Sequence, residues 1–233
     1  NPLYTSKELS EIIKDSGAKA IVILENFAST LQPIYKDTDL KHIIVTKISD
    51  VFNFPKSMLV DVVVKFVKKM VPSYSIPNHI KYRDVMNSGN ENNFSEEKII
   101  GSDIAYLQYT GGTTGKSKGA VLTHSNLVAN LEQAASWLEQ GIDEGQEIII
   151  TALPLYHIFS LTANCLTFMR FGALNVLITN PRDIPAFVIE LSKFKFTAIT
   201  GVNTLFNALL NNEAFTKLDF SSLKLTLGGG MAV

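Results

Sequence analysis

The sequence predicts an α/β protein in which mostly parallel sheets are layered with helices. Apolar, strand-like runs alternate with helix-like runs along the 233 residues, and this order is typical of parallel sheets covered by helices. Several of the strand-like runs are apolar throughout, as strands buried on both faces require. Hydrophobic residues make up 46% of the chain and charged residues 18%, so a substantial core can form.

The predicted elements follow one another in this alternating order. Strands are predicted at residues 19–24, 42–48, 105–110, 147–153, 174–179, 196–200 and 223–227, with a short strand-like run at 120–123. Helices are predicted at residues 5–17, 56–71, 125–138, 183–194 and 202–212. Thr5 and Glu8 have capping-box spacing, Gly17 can end the first helix, and Ser125 is a candidate N-cap of a later one. The polar residues 87–98 are expected to form an exposed loop.

The segment 56–71, KSMLVDVVVKFVKKMV, differs from the other helices because its apolar arc is unusually wide. At helical spacing, Asp61, Lys65, Lys68 and Lys69 occupy about a quarter of the circumference. We expect this helix to pack into a groove of its own protein. The alternative is a basic amphipathic helix that rests on an anionic membrane surface as a peripheral contact.

Composition excludes several classes of protein. A net charge of −1 gives no reason to expect nucleic-acid binding. The single cysteine, Cys165, excludes an intrachain disulfide framework and fits a reducing compartment, so we expect a cytoplasmic location, including the inner face of the cytoplasmic membrane if 56–71 makes the peripheral contact. No apolar run reaches the ~18 residues of a membrane span. The chain starts almost directly in a helix and stops after a glycine-rich strand end, which suggests a fragment of a longer protein.

The segment YTGGTTGKSKGAVLTH, residues 109–124, is the main candidate for chemistry. It fails the Walker phosphate-loop pattern because Thr110 stands where the first glycine belongs. Consecutive amides in a glycine-rich loop can instead form a nest for an anion. Three kinds of residue in this segment suit a polyphosphate site. The glycines are Gly111, Gly112, Gly115 and Gly119, the hydroxyl donors are Thr110, Thr113, Thr114 and Ser117, and the lysines are Lys116 and Lys118.

Three other interpretations of the chain remain open from the residues alone. A P-loop nucleotide hydrolase would need a helix that starts at Lys116 and Ser117, and an acidic residue after an apolar strand. A non-enzymatic module that binds acyl chains or membranes would also explain the apolar segments. The glycine-rich segment could simply be a mobile hairpin tip.

The glycine segment resembles the phosphate-loop motif of the adenylate-forming superfamily, which contains acyl-CoA synthetases, luciferases and peptide-synthetase adenylation domains. LPLYHIF at 153–159 and GGGMAV at 228–233 resemble the later motifs of that superfamily, in the same order. Several longer segments are similar to the bacterial long-chain fatty acid–CoA ligases, among them 1–23, 152–168, 178–185 and 196–212. Asn203 stands where most of the superfamily has proline, a variant that these ligases share.

The resemblance implies a two-step reaction. A long-chain fatty acid and ATP-Mg²⁺ would give acyl-adenylate and pyrophosphate, and coenzyme A would then give the thioester and AMP. It also implies that residues 1–233 are an incomplete N-terminal adenylation domain, without the C-terminal half and its small lid domain, and are not a competent enzyme alone.

The resemblance assigns roles to individual residues. Lys118 and His157 are the catalytic candidates, with His157 orienting the acyl carboxylate, and Thr110 is the Mg²⁺ candidate. ATP-site positions are Tyr109, Thr110, Gly111, Gly112, Thr113, Thr114, Gly115, Lys116, Ser117, Lys118 and Gly119, together with Gly228, Gly229 and Gly230 beside adenine and the acyl chain. Lys116 falls at a variable position and has a lesser role.

Overall fold

The computed structural model describes residues 1–89, 95–110 and 117–230, which form two compact units. The first unit comprises residues 1–99 and 106–121, and the second comprises residues 100–105 and 122–233. Each unit has its own apolar core, so each is described separately.

The first unit contains a parallel sheet of three strands in the order β1-β2-β3. Its strands are β1 (Ala20–Leu24), β2 (His42–Thr46) and β3 (Ile80–Lys81), and β4 (Ile104–Thr110) pairs with β5 (Lys118–Thr123) in a separate two-stranded sheet. The helices are α1 (Ser6–Ser16), α2 (Ala28–Leu31), α3 (Lys56–Val62), which continues as a π-helix over Val63–Val67, and α4 (Tyr82–Ser88). The buried apolar residues are Ile13, Ile23, Ala28, Leu31, Val45 and Ile76.

Local sequence signals fix the ends of α1 as predicted. The Thr5 side chain accepts from the Glu8 amide, and the Glu8 carboxylate accepts from the Thr5 amide at 2.8 Å. Gly17 ends the helix with φ at 65°, a left-handed conformation that costs glycine little. The capping box and the glycine stop are therefore confirmed.

The second unit contains a parallel sheet of four strands in the order β7-β6-β8-β9. Its strands are β6 (Ile148–Thr151), β7 (Leu174–Leu177), β8 (Ala198–Gly201) and β9 (Leu225–Gly228). Helices α5 (His124–Leu138), α6 (Thr167–Arg170), α7 (Ile184–Leu191), α8 (Asn203–Leu210) and α9 (Glu213–Thr216) belong to it, and a π-helix over Ser160–Leu166 precedes α6. Core side chains such as Ile149, Ile150, Leu191 and Leu209 are fully buried.

The predicted α/β class with mostly parallel sheets is confirmed, and every predicted strand-like run contains a strand of the structure. The N-cap prediction at Ser125 is wrong. Thr123 caps α5, because its hydroxyl accepts from the Asn126 amide at 3.2 Å while the Asn126 side chain accepts from the Thr123 amide at 3.0 Å. The first two residues of the predicted loop 87–98 are instead the last two of α4, and residues 90–94 of it lie outside the described residues.

Within the described residues, helix 56–71 does not bury its apolar arc as expected. Two of its polar side chains face the first unit: Ser57 is buried, and Asp61 accepts from Ser49 at 2.6 Å and from Lys47 at 3.1 Å. The apolar side chains are exposed instead, with Leu59 at 65% and Phe66 at 66%. The contacts of Asp61 with Lys47 and Ser49 hold this side of the helix against its own unit.

A membrane span is not among the described helices. None of them is long and apolar enough to cross a bilayer.

Candidate active site

The glycine-rich segment begins and ends on the paired strands of the first unit. Thr110 is the last residue of β4, and Lys118 is the first residue of β5. The Ser117 hydroxyl donates to the Thr110 carbonyl at 3.1 Å, so it joins the two ends of the segment. Residues 111–116, which carry the predicted contacts of Gly111, Gly112, Thr113, Thr114, Gly115 and Lys116, lie outside the described residues.

Tyr109 and Gly119 form a packed pair at the base of this segment. A Cβ on Gly119 would lie 3.0 Å from the Tyr109 ring, tighter than nine in ten Cβ contacts in real structures. The Tyr109 hydroxyl donates to the Asp15 carboxylate at 2.5 Å. Partial burial, followed by this hydrogen bond, raises the pKa of Tyr109 to about 12. The Tyr109 side chain is thus engaged by its own unit, and Gly119 is needed for space.

The structure removes the support for a P-loop hydrolase. That interpretation required a helix starting at Lys116 and Ser117, but residues 118–123 form a strand and the next helix begins at His124. A Walker loop places its phosphate ligand at the N-terminus of the helix that follows directly. The described part of this segment has strand geometry there, so a Walker site does not fit.

His157 lies just beyond the carboxyl end of β6 in the second unit. Its amide donates to the Pro154 carbonyl at 3.0 Å, and its carbonyl accepts from the Leu161 amide at 2.9 Å, so the residue stands at the entry to a helical segment. The imidazole is exposed and stacks on Tyr156 at 4.5 Å between ring centroids. An exposed imidazole at a strand end is available to a ligand, which a buried core histidine would not be.

The two predicted motifs of the second unit meet in the structure. Phe159 lies two residues after His157, and its ring lies 2.9 Å from the position of a Cβ on Gly229. Gly229 continues the β8–β9 pairing, because its amide donates to the Gly201 carbonyl at 3.1 Å. Gly230 has φ at 81°, where a side chain would be strained. Phe159 of LPLYHIF and the glycine-rich strand end therefore pack together, whereas the roles assigned to Gly228, Gly229 and Gly230 beside adenine and the acyl chain stay predictions.

A buried polar network beneath this surface was missed by the sequence analysis. Asn164 donates to the Thr151 hydroxyl at 3.1 Å and accepts from the Thr200 hydroxyl at 2.8 Å. Thr151 in turn donates to the Asn175 amide oxygen at 2.8 Å, and Ser160 donates to the Leu153 carbonyl at 2.8 Å. These bonds fix the π-helix after His157 against the carboxyl ends of β6 and β8. The polar residues Ser160, Thr162 and Asn164 in the segment SLTANCL were the signal available in the sequence.

Thr110 is the residue predicted to contact Mg²⁺. Thr110 is exposed, and a hydroxyl is a hard oxygen ligand of the kind Mg²⁺ accepts. Within residues 1–89, 95–110 and 117–230, no group of three or more His, Cys, Asp or Glu side chains could hold a metal ion. The assignment of Mg²⁺ to Thr110 stays a prediction.

Parallel sheets layered with helices define an α/β class of protein, in which a glycine-rich segment of a kind that can bind an anion joins β4 to β5. The particular family follows from comparison. The AMP-binding enzyme family matches residues 1–233, and the chain belongs to that family. The family prediction made from the glycine segment is confirmed.

Curated relatives and solved structures agree with this assignment. The chain is 54% identical over 233 residues to a long-chain-fatty-acid–CoA ligase of Yersinia pestis, covering 100% of this chain and 42% of that protein. It is 31% identical over 235 residues to the ligase of that name from Bacillus subtilis, covering 100% of this chain and 41% of that protein. The chain thus spans less than half the length of these relatives.

Two solved structures show the same fold. An anthranilate CoA ligase in complex with anthranoyl-AMP superposes with a TM-score of 0.77 at 19% identity, covering 100% of this chain and 40% of that one. A long-chain-fatty-acid-CoA ligase from Archaeoglobus fulgidus superposes with a TM-score of 0.70 at 26% identity, covering 99% and 40%.

Proposed function

We propose that this chain is part of the N-terminal adenylation domain of a longer, cytoplasmic ligase that activates long-chain fatty acids. The ligase uses ATP to form acyl-adenylate and then coenzyme A to form the acyl-CoA thioester. The observation that carries the proposal is the 54% identity, over all 233 residues, to a protein named long-chain-fatty-acid–CoA ligase. Residues 1–233 alone are not expected to complete the reaction.

In the first step, a fatty carboxylate oxygen attacks the α-phosphorus of ATP, and the bond to pyrophosphate breaks. Lys118 supplies positive charge to the phosphates at the start of β5, and the Ser117–Thr110 bond holds the ends of the loop together. Mg²⁺, when bound, neutralises further phosphate charge, and Thr110 is the residue we assign to it. In the second step, the coenzyme A thiolate attacks the acyl carbon and AMP leaves.

His157 orients the acyl carboxylate and stabilises charge as the two oxygens approach. An ionised carboxylate needs no deprotonation, so a general base is not required of this residue. Its exposed ring and the apolar residues that follow suit a substrate with a polar end and a long apolar chain. The Asn164 network holds that segment in place.

The test is the reaction of the longer enzyme itself. With ATP, Mg²⁺ and a long-chain fatty acid, we expect pyrophosphate exchange that depends on the fatty acid, and acyl-CoA and AMP once coenzyme A is added. Acetate serves as the matched short-chain acid. ATP breakdown without a carboxylic acid would overturn the proposal in favour of a hydrolase, and exchange supported equally by acetate would overturn the long-chain assignment.

We further propose that helix 56–71 gives this enzyme a peripheral contact with an anionic membrane surface. The specific observation is the exposed apolar face of α3 and its π-helical extension, with Met58, Leu59, Val62, Phe66, Val67 and Met70 all more than 40% exposed. Lys56, Lys65, Lys68 and Lys69 on the same segment are exposed as well. Apolar side chains ringed by lysines match an anionic interface, because burial and charge attraction then act together.

Vesicle binding by the longer enzyme tests this contact. We expect binding to phosphatidylcholine vesicles that contain phosphatidylglycerol, weaker binding without it, and loss of binding at high salt. Phe66→Ser and Lys68→Gln should weaken the binding, whereas Val128→Ser, an exposed position on α5, should not. Equal binding by all three variants would contradict the proposal. A marked drop in melting temperature for Phe66→Ser would assign the face to burial by another part of the longer chain.

A further inference from the structure

The loop that enters at Thr110 and leaves at Ser117 is anchored to helix α1 by one side chain. Tyr109, the residue before Thr110, donates its hydroxyl to Asp15 near the end of α1 at 2.5 Å. These two residues are 94 positions apart in the chain. The contact therefore ties the end of β4 to an element that the glycine motif does not include.

The same ring also fixes the strand on the other side of the loop. The Tyr109 ring lies where a Cβ of Gly119 would stand, at 3.0 Å, so the ring packs directly on the β5 backbone. The Ser117 hydroxyl adds a second link, to the Thr110 carbonyl at 3.1 Å. Both ends of the loop thus depend on where the Tyr109 ring sits, and Asp15 determines that position.

The hydrogen bond between Tyr109 and Asp15 lies at the surface of the unit. Burial, then the bond to Asp15, raises the pKa of the Tyr109 phenol to about 12, so the hydroxyl remains a donor across physiological pH. A cavity of about 460 Å³ borders the pair and is also lined by Glu11, Ile12, Lys14 and Ser117. Because one side of the pair is open, a smaller or isosteric side chain at position 15 fits without repacking the unit.

We propose that Asp15 is a positioning residue for the ATP phosphate loop. It accepts the Tyr109 hydrogen bond, holds the ring against Gly119, and so sets the separation and direction of the two strand ends that carry the loop. Asp15 touches no substrate in this scheme. The inference rests on the proposed use of residues 110–119 for ATP phosphates.

Three variants of the longer enzyme separate positioning from other roles. Asp15→Ala and Tyr109→Phe each remove one side of the hydrogen bond, while Asp15→Asn keeps an acceptor oxygen. We expect the first two to raise KM for ATP about tenfold, as loss of one charge-assisted hydrogen bond would, and to leave KM for the fatty acid unchanged. Asp15→Asn should restore most of the affinity, and the double variant Asp15→Ala/Tyr109→Phe should be no worse than either single one.

Glu11→Ala is the matched control, because Glu11 is an acidic residue one turn earlier on α1 that lines the same cavity. It should leave KM for ATP unchanged. An equal rise in KM for ATP in Glu11→Ala would show a general charge effect and overturn the inference. So would unchanged ATP kinetics in Asp15→Ala accompanied by a lower melting temperature, since that would show a merely structural bond.

Amide hydrogen exchange tests the Asp15–Tyr109 anchor independently of the proposed function. Asp15→Ala and Tyr109→Phe should speed exchange in peptides that cover residues 106–110 and 117–121, and Glu11→Ala should not. Unchanged exchange would refute the anchor even in an active enzyme. If the unmodified enzyme forms no acyl-adenylate, the proposed function fails, and faster exchange in the two variants would still establish Asp15 as the anchor of these strand ends.

Discussion

Gly119 in the first unit and Gly229 in the second unit are used in the same way. In each case an aromatic ring occupies the space of the missing Cβ, Tyr109 at 3.0 Å from Gly119 and Phe159 at 2.9 Å from Gly229. Neither glycine has a positive φ. Both are therefore needed for close packing against a ring, and the conformational freedom of glycine is not the reason for them.

The two rings differ in how they are held. The Tyr109 hydroxyl is bonded to Asp15, so its ring cannot move away without losing a hydrogen bond. Phe159 has no polar atom on its ring and is confined by packing with Gly229 and Gly230. Each of these glycines marks a position where a neighbouring ring needs space. How much added side-chain volume the position tolerates depends on what holds that ring.

The largest expected effect is on the second-unit surface, in His157→Ala of the longer enzyme. We expect acyl-adenylate formation to slow by roughly a hundred- to thousandfold, as when a donor to developing oxyanion charge is lost. ATP binding should stay nearly unchanged, because the interaction strengthens only as the two oxygens approach. Single-turnover adenylation with a melting curve checks this result. A normal rate with lowered stability would instead make His157 a structural residue.

The first-unit segment should show the opposite pattern, a loss in ATP binding. Lys118→Ala should weaken fatty-acid-dependent pyrophosphate exchange more than Lys116→Ala, by about tenfold for one charge-assisted phosphate contact. Lys118 begins β5 and matches the family position, whereas Lys116 lies outside the described residues. Equal losses in the two variants would contradict the assignment of Lys118.

Alanine at each glycine tests how the rings are held. Gly119→Ala and Gly229→Ala each force a ring to shift, and overpacking typically costs about 1–3 kcal/mol. That cost exceeds the ~0.4–1 kcal/mol gained when alanine restricts the unfolded chain. We expect the larger loss for Gly119→Ala, because Asp15 holds its ring. Asp15→Ala should partly relieve Gly119→Ala, and Phe159→Leu should relieve Gly229→Ala, as measured by melting temperature. Equal losses without relief would mean that the ring tether has no influence.

Two buried carboxylates extend the contrast between the units to pH dependence. Burial is the strongest single influence on the pKa of each carboxylate. It raises the pKa of Glu25 above the ordinary 4.5 despite Lys47. For Glu147, hydrogen bonds from Lys224, Thr197 and the Asp143 amide outweigh burial and lower the pKa below 4.5. Glu25 faces a cavity of about 440 Å³, whereas Glu147 accepts from Lys224 and the Asp143 amide at 2.7 Å each.

Opposite shifts predict opposite effects on the melting temperature. Glu147 stabilises the folded state above pH 4.5, and that contribution is lost as pH falls through its lowered folded-state pKa. Glu25 favours the folded state only while protonated, and this contribution is lost as pH rises through its raised folded-state pKa. Near neutral pH, Glu147→Gln should therefore destabilise by about 1–3 kcal/mol, and Glu25→Gln should be neutral or slightly stabilising. Equal destabilisation by both would contradict the contrast.

Local patterns in the sequence predicted much of the fold. Apolar runs placed the strands, because strands buried on both faces need them, and Thr5, Glu8 and Gly17 placed the ends of α1 through bonds that span at most one turn. The one capping error, at Ser125, arose because Thr123, two residues earlier, offers the same hydroxyl. Asn126 completes its capping box. The resemblance of the glycine segment to the superfamily's phosphate-loop motif, with LPLYHIF and GGGMAV in the same order, identified the family.

The sequence by itself therefore determined the α/β class and the order of the elements, and it supplied the residues proposed for the site. Only the tertiary structure decided which residues meet: Tyr109 with Asp15, Phe159 with Gly229, and Asn164 with Thr200. It also decided that Ser57 and Asp61 of helix 56–71 face inward, Asp61 through its contacts with Lys47 and Ser49. Such contacts join residues that are 12 to 94 positions apart, and no local periodicity encodes them, because they form only when separate elements pack together.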